Sequence, residues 1–355
     1  MSIGFRVRTV LNADIKNILL VRTDRIGDVI LSLPMLPLLK RRFPNARISV
    51  LVRNYTRELV ERHSSVDEVL VYEHEDSIRS LWNILKEIRA RKFDVGIIPY
   101  PRFRSTLLMF LAGIRIRVGT GYRWYSILFN RKVYEHRKNA QRHEVEYNVN
   151  LLRSLGIEPT GAAQFELTVS SSAKKIVDSF LAENSISEKE KFVILHPGSG
   201  GSARDWRPEN FSELGDKVKT LLGLKVLVSG GKGEDRLVQK VAEGMKTRPI
   251  IAVGKFSLEE FGALVQRAAV FVSNSTGPMH IAAVLGTPVI AFFPPILQCS
   301  PVRWGPYTEK KKVFIADNTV CTLCHGSPCR SNVCMDQIKV DDVVVAIKQL
   351  LDQKN

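Results

Sequence analysis

Short apolar runs alternate with amphipathic stretches along nearly the whole chain, and this alternation restricts the fold more than any other feature. NILLVR (17–22), ARISVLVR (46–53), VDEVLVYE (66–73) and FDVGIIPY (93–100) read as strands. Between them, DVILSLPMLPLLKRRF (28–43) reads as a helix interrupted near its prolines, and TRELVERH (56–63) and SIRSLWNILKEIRARK (77–92) as helices. Further helices run through RSTLLMFLAG and EVEYNVNLLRSLG. Parallel strands need a long crossover between them, usually helical, and strands covered on both faces read as unbroken apolar runs. The pattern therefore predicts an α/β chain with a parallel sheet.

The periodicity stops at GIEPTGAAQ (156–164), where Gly, Pro and Thr cluster, and then resumes. KFVIL, KVLVSGG, PIIAVG, AVFVSN and PVIAFFPP read as strands, separated by WRPENFSELGDKVKTLL, EDRLVQKVAEGM, SLEEFGALVQRA and GPMHIAAVLG as helices. Two doubly wound domains are expected, 1–160 and 161–335, with a terminal helix in 336–355 returning to the first. Ligands of such sheets bind at the carboxyl ends of strands, and with two halves the cleft between them is the expected site.

The composition supports a folded chain: 355 residues, 45% hydrophobic. The first residues lack an apolar signal core, and the longest apolar run, VILSLPMLPLL, contains two prolines and is too short for a bilayer. A cytoplasmic or peripheral protein is expected. Net charge is +16, and residues 1–170 hold 28 Lys+Arg against 17 Asp+Glu. Arg102–Arg142 alone carries ten basic residues and one acid, Glu135, interleaved with aromatics. That bias favours an acidic, phosphate-rich partner, with a solvated basic face as the plainer alternative. Nucleic acid is disfavoured, because no recognition module accompanies the basic run. All five cysteines lie at or beyond Cys299, and Cys321, Cys324, Cys329 and Cys334 are spaced C-x2-C-x4-C-x4-C. Structural zinc, reduced structural thiols and a disulfide or redox pair all fit that spacing.

Four strand-end loops carry candidate chemistry. TDRIGD (23–28) sets Asp28 where a helix begins, either as a general base or as an acid suited to a helix N-terminus. HPGSGGSARDWRP (196–208) offers backbone amides and the guanidinium groups of Arg204 and Arg207 to an anion, with Trp206 as a shield. SGGKGED (229–235) places Glu234 at a strand end, where a carboxylate holds a ribose or simply starts a helix. SNSTGPMH (273–280) supplies Ser275 or Thr276 as a helix cap, Gly277 for close ligand approach, and His280 one turn in. For His280 a core position and a site position both stand. No GxxxxGK[ST] loop is present.

In this order RTDRIGDVILSLP, HPGSGGSARDWRPENFSEL, SGGKGE and SNSTGPMHIAAVLGTPVIAFFPP resemble the successive motifs of glycosyltransferase family 9, the lipopolysaccharide heptosyltransferases, over roughly residues 17–350. The resemblance implies a GT-B fold of two Rossmann-like domains. It also implies an inverting transfer of L-glycero-D-manno-heptose from an ADP-sugar to Kdo or heptose of the lipopolysaccharide inner core, at the inner face of the inner membrane. Asp28 matches the proposed base, and Arg204 falls where Lys is usual, before the leaving diphosphate. Ser199, Gly200 and Gly201 match the phosphate-side loop, Glu234 the ribose contact and Phe256 the adenine border. Thr276, Gly277 and His280 match the element near the diphosphate and sugar. Ser275 departs from the usual Asp, which bears on the choice of donor sugar. The N-terminal half would bind the phosphorylated Kdo-lipid A or core acceptor, with Arg25, Arg102, Arg104, Arg123 and Lys132 as its basic candidates. No metal or other cofactor is expected in catalysis. A different nucleotide sugar, a GT-B epimerase and a non-catalytic nucleotide-sugar binder are the alternatives.

Overall fold

The computed structural model describes residues 14–72, 78–317 and 333–353. Among them, twelve strands form two six-stranded sheets, parallel throughout. The first contains β1 (Asn17–Val21), β2 (Arg47–Val52), β3 (Glu68–Val71), β4 (Val95–Ile97), β5 (Ile116–Thr120) and β6 (Arg131–Val133). The second contains β7 (Phe192–His196), β8 (Lys225–Gly230), β9 (Ile250–Val253), β10 (Val270–Asn274), β11 (Val289–Phe293) and β12 (Lys311–Ile315). The helices are α1 (Ile26–Ile30), α2 (Met35–Arg42), α3 (Ile78–Arg91), α4 (Phe103–Leu111), α5 (Glu144–Asn150) and α6 (Ser171–Glu183). They continue as α7 (Pro208–Leu222), α8 (Asp235–Gly244), α9 (Leu258–Arg267), α10 (Gly277–Val284), α11 (Pro301–Trp304) and α12 (Val340–Asp352).

The sheet orders are β3-β2-β1-β4-β5-β6 and β12-β11-β10-β7-β8-β9. Counted from its own first strand, each reads 3-2-1-4-5-6, the doubly wound dinucleotide order. Each order reverses once, between β1 and β4 and between β7 and β10, and those reversals open the crevices where such sheets bind ligands.

The chain divides into two units. Unit 1 comprises 1–24, 31–135 and 145–166, and unit 2 comprises 25–30, 136–144 and 167–355. The last boundary falls at 166/167, not 160/161, and α1 clusters with unit 2. In unit 1, Leu19 and Val21 of β1 share a core with Leu85 and Ile88 of α3 and Leu108 and Met109 of α4. Ile18 and Leu20 point to the other face and are also buried. In unit 2, the alternation along the strands feeds two cores. Val193, Leu195, Val272 and Phe292 pack with Phe211, Val238, Val343 and Ile347 of α7, α8 and α12. Phe192, Ile194, Phe271 and Phe293 pack with Val177, Leu264 and Met279 of α6, α9 and α10.

The terminal helix α12 therefore belongs to the second core, and the expectation that it returns to the first domain is corrected. Its buried side, Val340, Val343, Val344, Ile347 and Leu350, follows a helical period that sheet 2 can cover. The interrupted helix at 28–43 resolves into α1 and α2, with Pro34 at the N-cap of the second. TRELVERH forms a 3-10 helix over Asn54–Leu59. Strands β5, β6 and β12 had no counterpart in the sequence reading. β6 and β12 are edge strands carrying basic residues, which blur an apolar signal while blocking further pairing.

Candidate active site

The first loop divides its two acids. Asp24 is buried in unit 1, with Arg22 Nη1 3.5 Å and Arg102 Nη2 3.4 Å from its oxygens. Asp28 stands in the first turn of α1, half-buried, and its Oδ2 accepts the backbone N–H of Arg25 at 3.3 Å. The helix-start role of Asp28 is thus realised through one oxygen, in half of a capping box. Asp24 has no role in the sequence reading, although an acid two residues from Arg22 invited a pairing.

Arg25, on the surface of unit 2, donates from Nη1 to Ser202 Oγ at 2.6 Å and so ties this loop to the glycine-rich one. The start of α1 also packs on the start of α10. A Cβ on Gly27 would lie 2.8 Å from His280 Cδ2, and one on Gly277 would lie 2.7 Å from Ile26 Cβ. The space above Gly277 is therefore taken by Ile26, where the sequence reading gave it to a ligand. Thr276 is the N-cap of α10, but its side chain makes no capping hydrogen bond.

The loop 197–206 is clamped at both ends by one residue. Asn274, at the end of β10, donates to Pro197 O (2.7 Å) and accepts the Trp206 N–H (2.8 Å). Trp206 is fully buried against Phe211 and Phe292 and donates from Nε1 to Ile338 O at 3.1 Å, so it anchors the loop and shields nothing. Arg207, at the start of α7, pairs with Asp336 at 2.7 Å. Between the clamps, Gly200 and Gly201 hold φ of +57° and +73°, a left-handed region open to glycine at little cost. Arg204 is half-buried and contributes to the field at Cys299.

The third loop meets this one directly. The Glu234 carboxylate accepts the Gly231 N–H at 2.7 Å and lies against Gly198, where a Cβ would come within 2.1 Å of Oε1. His196 Nε2 is 3.8 Å from Glu234, and its Nδ1 pairs with Ser229 Oγ at 3.0 Å. Burial drives His196 down to about 4, against the opposing pull of Glu234, so it is neutral at pH 7. His280 falls to about 3, through burial first and then the field of His143. Asp205 moves the other way, up to about 6. Burial is the main cause, Glu234 adds to it and the Ser199 hydroxyl opposes it. The sequence reading passed over Asp205, which RDW flanks with a cation and an anchor.

Among the described residues, Ser199 Oγ, Asp205 Oδ1 and His280 Nδ1 are buried without a hydrogen bond of good geometry. Native proteins leave few such groups, and two on the loop after β7 with a third in the helix after β10, the strands of one switch point, mark a place for a polar ligand. Ser275 and Thr276 are buried beside them in sequence, and the Ser275 N–H donates to Phe292 O. Phe256 lies one strand further along, edge-on to Phe180 at 5.1 Å. Arg102, Arg104, Arg123 and Lys132 all belong to unit 1 and are exposed. Cys321, Cys324 and Cys329 lie outside the described residues. Cys334, the fourth of the set, is buried in the core with Met335 and Ile338.

The family model for glycosyltransferase family 9 (heptosyltransferase) matches residues 81–334. The chain belongs to that family. Lipopolysaccharide heptosyltransferase 3 of Escherichia coli K12 is 26% identical over 339 residues, covering 92% of this chain and 96% of the relative. The solved family 9 glycosyl transferase of Veillonella parvula superposes with a TM-score of 0.86 at 25% identity, covering 97% and 100% of the two chains. The E. coli ADP-heptose lps heptosyltransferase II gives 0.77 at 22% identity, covering 95% and 99%. The fold is GT-B, and the chain is a glycosyltransferase of the heptosyltransferase family of lipopolysaccharide core biosynthesis. Among the described residues, no helix is long and apolar enough to cross a membrane.

Proposed function

We propose that this enzyme moves a heptose, with inversion, from ADP-L-glycero-β-D-manno-heptose to Kdo or heptose of the lipopolysaccharide inner core, at the cytoplasmic face of the inner membrane. The observation that carries this reading is the set of buried, under-satisfied polar atoms of Ser199 and Asp205, either side of the left-handed Gly200–Gly201 turn, and of His280 in α10 after β10. A nucleoside diphosphate-sugar supplies the matching hydrogen-bonding groups. The relatives' heptosyltransferase names support the donor, and the basic bias of residues 1–170 supports an acidic acceptor.

In the proposed reaction the acceptor hydroxyl attacks the anomeric carbon, a C–O bond forms, and the bond to the diphosphate oxygen breaks. Asp28 receives the hydroxyl proton on a carboxylate oxygen. The nucleoside diphosphate leaves with the bonding electrons, and Arg204 and the amides of 199–201 stabilise its charge. Glu234 takes the ribose hydroxyls, and Phe256 borders the base. Ser275 faces the sugar, where a hydroxyl replaces a charge. No metal takes part in this scheme.

Nucleotide release tests it. The enzyme is incubated with ADP-heptose, and separately with UDP- and GDP-sugars, with and without a Kdo-lipid A acceptor. Acceptor-dependent ADP release from ADP-heptose is expected. Release only from another sugar nucleotide would move the donor and point to Ser275, and no release from a folded enzyme would overturn the transferase scheme.

A further inference from the structure

Helix α4 carries large apolar side chains on its outer side as well as its inner one. Its buried side holds Ser105, Thr106, Leu108 and Met109, while Phe103, Phe110 and Leu111 are exposed. Phe103 and Phe110 are seven residues apart, as are Arg104 and Leu111, so all four share one face. Beside it, the 3-10 helix Trp124–Leu128 presents Trp124 and Ile127, which are 77% and 79% exposed. Side chains three apart eclipse in a 3-10 helix, so these two project together. The Phe103 and Trp124 rings stack at 4.9 Å and join the two elements into one apolar surface. Soluble proteins rarely expose such a patch without using it.

Its charge identifies the occupant. Arg102 and Arg104 flank Phe103, and Arg123 precedes Trp124, all exposed. The only acid of the Arg102–Arg142 segment, Glu135, accepts a hydrogen bond from Asn150. A second copy of this chain would set the same cations against themselves across an isologous interface, which opposes self-association. Stacked nucleobases would use the aromatic rings but not Ile127 or Leu111, which offer only apolar burial. An anionic bilayer surface uses both: headgroups for the arginines and the acyl boundary for the apolar side chains, with Trp at the interface.

We infer that the Phe103–Trp124–Ile127 face of unit 1 inserts into the interface of an anionic membrane and docks the enzyme there. The inference rests on the reading that the acceptor is embedded in such a membrane, but its test needs neither donor nor turnover.

The full chain is floated with phosphatidylcholine vesicles and with phosphatidylcholine–phosphatidylglycerol vesicles, which contain no acceptor. Binding is expected to the anionic vesicles and to weaken with salt. The double variant Trp124→Ser, Ile127→Ser should lose about tenfold or more of that binding. It should keep its ADP release with a deacylated, soluble acceptor. Trp82→Ser, which removes another exposed tryptophan (55%) from α3, should bind as the parent does. Phe103→Ser provides an independent second variant of the same face.

Equal vesicle binding by the parent and both patch variants would overturn the inference. So would a patch variant that keeps vesicle binding but changes from dimer to monomer, since the face would then belong to a second copy. Loss of turnover on the soluble acceptor, without loss of vesicle binding, would assign the face to the acceptor instead. If ADP-heptose proved not to be the donor, the vesicle result would be unaffected.

Discussion

In unit 1 the loops at the switch-point strands β1 and β4 hold Arg22, Asp24 and Arg102 in an ion-paired row, and the next helix turns aromatic side chains outward. In unit 2 the equivalent loops, after β7 and β10, hold left-handed glycines, an asparagine clamp and buried polar atoms without a hydrogen bond of good geometry. The sheets beneath have the same order. One scaffold thus carries the exposed arginines Arg102, Arg104 and Arg123 in one copy and buried polar side chains in the other, and the difference lies in the loops. Exposed charges suit a large acidic partner. Buried donors and acceptors suit a small ligand that must be oriented.

The largest expected effect separates chemistry from recognition. Asp28→Asn should lower kcat by about 10²–10⁴-fold, the usual worth of a positioned general base, with little change in donor KM. Arg102→Ala, on the exposed surface of unit 1, should raise acceptor KM and reduce its salt dependence while leaving kcat within a few-fold. Steady-state kinetics on both variants reads the contrast. If Arg102→Ala cost as much kcat as Asp28→Asn, the division of labour between the units would fail. If Asp28→Asn kept most of its kcat, the helix-start hydrogen bond to Arg25 would be the main role of that carboxylate.

Arg204→Ala should follow, at about 10²–10³-fold in kcat/KM, comparable to losing one donor to a developing anion. Arg204→Lys should recover part of that loss, because the charge returns without the planar fork. A null effect in both would move leaving-group stabilisation to the loop amides alone.

A smaller effect is thermal stability against pH, which sharpens the contrast between an enclosed and an exposed region. His196 and His280 fall to about 4 and about 3 in the folded state, from 6.5. The unfolded chain therefore binds more protons between those values. The stability from keeping the two imidazoles neutral is complete above about pH 6.5 and is lost as pH falls toward 4 and then 3. His63, in unit 1, is lowered too, by burial. His280→Gln should flatten the acid limb of Tm against pH in the ligand-free enzyme, and an unchanged limb would mean that His280 is not buried in solution.

Much of this was legible before the structure. Strand runs such as NILLV and VIAFF announced themselves because both faces of a parallel sheet are covered. The order of the four loops carried the family. What could not be read was pairwise. That Gly27 and Gly277 exist to let α1 meet α10, that Trp206 is an anchor, and that Arg207 belongs to Asp336 all depend on contacts between segments far apart in sequence. Local spacing cannot distinguish a glycine that admits a ligand from one that admits Ile26. Nor can it show that one Asp of TDRIGD is neutralised while the other caps a turn.

The smallest effect is the most discriminating for the candidate site. Asp205 is raised to about 6 by burial and by Glu234. Here the sign reverses: the folded state binds the extra proton, so stability from that proton is present below about pH 3.8 and is lost as pH rises through 6. Above pH 7 the ligand-free enzyme holds two carboxylates in proximity, one with a buried, unsatisfied oxygen. Asp205→Asn keeps the volume and removes the charge. It should raise Tm at pH 8 by roughly 1–3 °C in unit 2 and leave Tm at pH 4 nearly unchanged. If the carboxylate is retained for its ligand, the same variant should bind ADP more weakly by calorimetry, a local exchange of stability for function. A variant that gains stability and keeps full ADP affinity would remove Asp205 from the site and leave it to Ser199 and His280. A variant that loses stability at pH 8 would mean that Asp205 is held by a partner in solution, and that the site is less polar than the buried atoms imply.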